Sequence, residues 1–129
     1  MASLLTNAGR AILSGLSSGV TAALPKYLGV GEGAGTTAAT DTTLFTEATT
    51  GTWSGYARAA CTLSQATTSV TNDTWKSVGT LTAPSAQAIT NAGNFDALTV
   101  GNLFLKGDFA TINLATNDSV QVTATNQFV

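Results

Sequence analysis

The chain has 129 residues and a mass of 13.0 kDa, enough for one domain with a core, and its 43% hydrophobic content argues against disorder. Only 9% of the residues are charged, against about 25% in ordinary globular domains; 7 acids, 5 bases and no His leave a net charge of -2, with no basic footprint for nucleic acid. The lack of His removes the commonest general acid/base and metal ligand, and the single Cys61 excludes an internal disulfide or a multi-cysteine zinc site.

The first residues read as structure and not as a signal peptide, because the first cation, Arg10, lies inside the apolar segment instead of ahead of it. No stretch approaches the roughly 20 apolar residues of a membrane span, so no membrane partner is expected. Leu5, Ala8, Ile12, Leu13 and Leu16 recur at helical spacing, with Thr6 as candidate N-cap and Gly15 and Gly19 as stop signals. This short helix either covers one end of the domain's own core or forms an arm that packs on a neighbouring subunit. Pro25 bars its continuation, and residues 27–30 read as a first strand. The chain therefore divides into an N-terminal helix or arm, residues 1–24, and a single β-domain, residues 25–129.

Residues 31–43, GEGAGTTAATDTT, lack periodicity and read as an extended, flexible surface loop. Gly29, Gly31, Gly33 and Gly35 invite a phosphate-loop reading, but neither G-x-G-x-x-G nor a glycine loop ending in Lys then Ser or Thr is present. Beyond Thr52 the period becomes two. Strands are predicted over residues 56–63 and 75–81, the latter with Trp75, Ser77, Gly79 and Leu81 on one face and Lys76, Val78 and Thr80 on the other. A shorter strand covers 87–90. In residues 102–109, Leu103 and Leu105 share one face and Phe104 and Lys106 the other, with Lys76 and Lys106 on outer faces, and Ile112 and Leu114 continue the pattern. Val120, Val122 and Ala124 alternate with Gln121, Thr123 and Thr125. Residues 71–74 and 116–119 share an Asn-Asp turn and predict two hairpins; both also match the N-glycosylation acceptor pattern, for which turn chemistry is the better account. The expected fold is mainly β, an antiparallel, jelly-roll-like β-sandwich with a short N-terminal helix.

The pieces that could carry chemistry are few. Residues 15–19 match G-x-S-x-G, but a nucleophile elbow needs a strand before it and a His downstream, and here a helical pattern precedes it and no His exists. Asp96 with Asp108, and Asp41 with Glu47, are the candidate carboxylate pairs; neither has a catalytic signature, and Asp96 and Asp108 stand where turn and strand-end hydrogen bonding explains them. Trp53, Tyr56 and Trp75 either pack in the core or form an aromatic surface for a sugar or protein; Trp53, set among Gly, Ser and Thr, is expected to be the exposed one. No catalytic residue, cofactor or metal is expected. Thr alone occupies about two dozen positions, and an uncharged polar surface suits close neighbours, because assembly need not desolvate charges; it equally fits a Thr-rich β-domain with a neutral exterior.

The second half carries a more specific run: residues 88–97 (AITNAGNFDA), 101–109 (GNLFLKGDF), 112–115 (INLA) and 118–123 (DSVQVT). It resembles a group of small tailed-bacteriophage virion proteins, described as capsid decoration (cement) proteins or tail-fibre-associated structural proteins. Residues 5–10 and 29–46 fit the same group more loosely. The resemblance implies a non-enzymatic β-sandwich component of the virion, made in the host cytoplasm and sited on the capsid surface. The implied partners are the major capsid protein and further copies of the chain, as a homo-oligomer, with a trimer on local threefold positions as the expected arrangement. Candidate subunit or capsid contacts are Leu4, Leu5, Ile12 and Leu16 in the N-terminal segment and Trp53 and Tyr56 in the aromatic stretch, with residues 31–43 as a further contact element. The alternative is a tail or fibre module that recognises a host glycan through Trp53, Tyr56 or Trp75. Nucleic acid and membrane are not expected as partners.

Overall fold

A strand that alternates apolar and polar side chains can bury one face and wet the other, and pairs of such strands stack into a sandwich. The computed structural model describes residues 2–21 and 23–129. Its elements run β1 (Ala2–Leu5), α1 (Asn7–Ser18), β2 (Tyr27–Gly31), β3 (Ala59–Ala60), β4 (Thr62–Ala66), β5 (Thr74–Thr82), β6 (Gln87–Phe95), β7 (Leu103–Leu114) and β8 (Ser119–Gln127). They form a five-stranded sheet, β1-β7-β6-β2-β3, and a three-stranded sheet, β4-β5-β8, with every pairing antiparallel. The chain is an antiparallel β-sandwich with one short N-terminal helix among the described residues. Leu28, Val30, Ile89 and Ala92 of the larger sheet meet Leu81 of the smaller, with Val120 and Val122 packed against them.

Thr6 caps α1 as its sequence predicts, accepting from the Gly9 amide at 2.9 Å, and Gly19 ends it in the left-handed conformation; Gly15 lies inside the helix. Ile12 packs with Phe104, Leu105 and Ala124, so the helix covers the domain's own core. Ahead of it, β1 pairs with β7 from Ala2↔Asp108 to Leu5↔Leu105, an edge strand too short to show a period in sequence. Residues 2–18 are therefore built into the sandwich and are not a free arm. The arm expected over 1–24 also took in Met1 and Ala22, which lie outside the described residues.

The predicted 75–81 strand is β5; of the residues expected to share one face, Ser77, Gly79 and Leu81 are buried and Trp75 is half-buried. Residues 56–63 yield only β3 and the start of β4, and the 87–90 strand runs on to Phe95. Asn91 and Asn94 lie in that extension, fully buried, with their amides bonded to the Phe45 backbone and to Ser77 Oγ. Strand β7 is continuous to Leu114, and its register slips opposite Asn94 and Phe95. Phe95 opposes Leu103 and Asn94 opposes Leu105, so Phe104 is the extra residue of a β-bulge. The bulge breaks the predicted alternation: Phe104 and Leu105 join one core cluster, and Leu103 joins another with Phe95 and Leu44.

Both Asn-Asp turns form, with Asn72 and Asn117 in left-handed backbone. The first closes the β4–β5 hairpin. The second joins β7 to β8, which belong to different sheets, so it is a corner between sheets and not the second hairpin expected. One side of the sandwich is closed where the chain passes from β3 to β4 through Cys61. On the other side β1 and β8 flank a seam, a cavity of about 60 Å³ lined by Ser3, Leu105, Gly107 and residues 122–125.

A Cβ on Gly9 would overlap the Phe104 carbonyl oxygen, so the helix sits closer to β7 than any other residue type allows. Helix propensity alone favours Gly9→Ala by about 1 kcal/mol. The contact reverses the sign: Gly9→Ala is expected to destabilise by about 1–3 kcal/mol in chemical denaturation.

Candidate interaction surface

Glycines two apart on a strand strip one face of its side chains. Gly29 and Gly31 lie on the same face of β2, and Gly29 pairs directly with Gly93 of β6. On this bare track the chain folds back: Ala48 donates its amide to Val30, Glu32 to Thr46 and Gly33 to Phe45, at 2.9–3.0 Å. Leu44 seats on it, with side-chain carbons 3.2 and 3.0 Å from where Cβ atoms on Gly29 and Gly93 would stand. Gly33 and Gly35 face Phe45 in the same way. Residues 31–43 are thus part of a strap across the outer face of the larger sheet, and not the flexible loop expected.

Two buried cations hold this strap. Lys106, expected on an outer face, is on that face but has no exposed surface, because the strap covers it. Its Nζ donates to Asp41 Oδ2 at 2.9 Å and to the Thr43 carbonyl at 3.0 Å, and stands 3.2 Å from the Phe45 ring centroid. The hydrogen bond from Lys106, and next that from the Ala38 amide, hold the Asp41 carboxyl below its ordinary range. Arg58 grips Glu47 through Nε and Nη2, each at 2.8 Å, and lies over the Phe95 ring at 3.5 Å. Its Nη1 donates to the carbonyls of Ala97 at 3.0 Å and Val100 at 2.7 Å. Glu47 also accepts from the Tyr56 hydroxyl at 2.9 Å; burial, and then the Glu47 charge, push that phenol above its ordinary range.

Arg58 therefore ties the strap to the β6–β7 connection, residues 96–102. Asp96 closes that connection at its base, accepting from the Asn102 amide at 2.7 Å and from Asn102 Nδ2 at 3.1 Å. Its tip exposes Leu98 and Val100, the latter 84% exposed and at φ 56°, followed by Gly101 at φ 67°. A β-branched residue is strained in that region, and the Arg58 bond to its carbonyl contributes to holding it there. The loop stands as a ridge between two recesses. One, of about 280 Å³, is lined by Glu47, Ala48, residues 56–58 and 98–100. The other, of about 210 Å³, lies between Ala8, Ala11, Ile12, Thr21, Asp96 and Asn102, next in sequence to the exposed Val20.

The structure separates the contact residues expected from sequence. Leu4 is exposed on β1; Leu5, Leu16 and Tyr56 are half-buried. Ile12 and Trp53 are in the core: Trp53 is only 2% exposed, packed among Leu28, Val30 and Leu81 with its ring edge-on to Tyr56. It enters the core from a polar-looking stretch whose sequence gives no sign of that burial. Trp75 is half-buried against Phe104. The three aromatics do not form an exposed platform. The four candidate carboxylates hold separate partners: Asp41 Lys106, Glu47 Arg58, Asp96 Asn102, and Asp108 the Thr37 amide. Residues 15–19 are the end of α1, where Ser18 Oγ bonds back to the Ser14 carbonyl. Leu98 and Val100 escaped the sequence reading; the signal was two apolar residues just ahead of a turn glycine, with no strand to bury them.

What fold and surface define is a β-sandwich that presents a rigid apolar ridge at one end. Compared with known proteins, the chain matches no protein-family model and no curated sequence.

Glu47→Gln leaves the Arg58 guanidinium buried without its countercharge, and urea denaturation is expected to show a loss on the order of 2–4 kcal/mol. Asp41 gives a pH test. Its carboxyl titrates lower folded than unfolded, so its contribution is full above the unfolded value of about 4 and is lost as pH falls through the folded value. Asp41→Asn is expected to be less stable at neutral pH and to lose stability less steeply below about pH 4 than the parent chain, measured by unfolding at a series of pH values.

Proposed function

We propose that this protein is a non-enzymatic structural component of a phage virion, a capsid decoration (cement) protein that binds the outside of the head and stabilises contacts between major capsid subunits. The resemblance of residues 88–123 to that group supports the reading, as does the antiparallel sandwich in which those residues lie. The observation that carries it is the ridge at residues 96–102. Leu98 and Val100 are exposed on a loop fixed by Arg58 from below and by Asp96 at its base, so docking them costs little ordering entropy. Their chemistry fits an uncharged apolar surface on the capsid subunit. Many copies over a shell add many modest interfaces, whose free energies sum.

A tail or fibre module that recognises a host glycan would need an open aromatic face. Trp53 is inside and the Tyr56 hydroxyl is bonded to Glu47, so the geometry favours the capsid reading.

Val100→Asn separates attachment from folding, since Asn tolerates left-handed backbone better than Val. The variant is expected to melt at the parent temperature or slightly above, and to bind phage particles at least about tenfold more weakly, roughly the loss of one buried Val side chain. Cryo-EM of decorated particles should show the protein spread over the head. Full binding by both Val100→Asn and Leu98→Asp would sink the ridge as the attachment surface, and copies confined to the tail would sink the capsid role.

A further inference from the structure

We propose that copies of this chain associate through β8, which pairs antiparallel with the β8 of a second copy about a twofold axis and joins two three-stranded sheets into one. Free strand edges present rows of unpaired N–H and C=O groups, and proteins blunt them with short strands, charge, proline or bulges. Three exposed edges here are short: β1 has 4 residues, β3 has 2 and β4 has 5. The stretch of β7 beyond β1 borders a register shift. Strand β8 has none of these devices. It runs nine residues, SVQVTATNQ, without a charge or a proline, and its register with β5 is unbroken from Thr82↔Ser119 to Thr74↔Gln127. Its backbone makes no hydrogen bond on the side away from β5 among the described residues.

The occupant follows from the strand's own chemistry. An antiparallel strand centred on Thr123 is its own complement: Thr123 meets Thr123, and Gln121 meets Thr125, all polar, uncharged and exposed in the single chain. Such cross-strand pairs are favourable, and no like charges meet. On the inner face Val122 would meet Ala124 and extend the apolar surface across the axis, with Val120 opposite Asn126. An isologous edge closes at two copies, which replaces the threefold expected from sequence with a twofold. The proposal rests on the oligomeric part of the reading above and not on its capsid part.

The test uses the full chain in solution. Sedimentation equilibrium of the parent should show a monomer–dimer equilibrium. Thr123→Lys sets two ammonium groups against each other across the axis, and should weaken association at least about tenfold while leaving the melting temperature of the monomer unchanged. Thr123→Cys should give a covalent dimer under mild oxidation at a concentration where the parent, through Cys61, gives none. A parent that is monomeric at every concentration overturns the proposal and leaves ridge attachment standing. A dimer that survives Thr123→Lys and gives no Thr123→Cys cross-link overturns it too, as does a trimer that Thr123→Lys leaves intact.

Discussion

The constraint on which this structure turns is a track of missing side chains. Gly29 and Gly93, opposed in register, and Gly31 clear a path on the outer face of the larger sheet, and Gly33 and Gly35, past the end of β2, make room for Phe45. The Phe45 backbone fills that path at a distance no Cβ on Gly31 would permit, and Leu44 packs so closely that a Cβ on Gly29 or Gly93 would force it to shift. A two-layer sandwich leaves each sheet's outer face to solvent; here residues 37–47 make a third layer over part of one. The same glycines that suggested phosphate binding are spaced by two because that is the period of a strand face. Their role is close approach, not a nucleotide.

Covering that face creates a difficulty that the two buried cations resolve. A strap rich in Gly, Ala and Thr has little apolar area with which to hold itself down. Lys106 and Arg58 instead draw it in by charge-assisted bonds to Asp41, Glu47 and backbone carbonyls, with Phe45 and Phe95 lying against the cationic groups. Ion pairs of this kind add little over a well-packed apolar substitute, yet they are costly to break from one side, and they fix which residues meet. Arg58 extends that logic outward, because one guanidinium joins the strap, the sheet and the 96–102 ridge. The backbone beneath the exposed tip is thus tied to the buried Arg58.

These arrangements explain what could be read in advance. Strands β5 and β8 were legible because each keeps its alternation in an unbroken register with the other, and the cap at Thr6 and the turns at Asn72 and Asn117 depend only on residues a few positions away. What stayed hidden is non-local. The burial of Lys106 depends on Asp41, 65 positions earlier, and that of Arg58 on carbonyls about 40 positions later. Asn91 and Asn94 look like turn residues until the Phe45 backbone and Ser77 Oγ are placed beside them. The Phe104 bulge moves one residue across the sheet, which no periodicity announces. The ridge was missed for a related reason: an exposed Val reads as an accident until the backbone beneath it proves held.

The shortage of charge has a sharper meaning once the ionisable groups have places. Asp41 with Lys106 and Glu47 with Arg58 neutralise one another where the strap meets the sheet, and Asp73, Asp96 and Asp118 are occupied with loop backbone. Asp73 alone accepts from the amides of Thr68, Ser69 and Val70, which holds its carboxyl far below the usual carboxylate range. Among the described residues, Arg10, Lys26 and Lys76 are the cations outside ion pairs. A surface with so little net or local field gives weak long-range repulsion between copies and weak electrostatic steering of partners. Any association is then decided at contact range, by shape, backbone pairing and apolar area. The features suited to that regime are the β8 edge and the ridge at Leu98 and Val100: one offers unpaired backbone without charge, the other apolar side chains on a hydrogen-bonded loop.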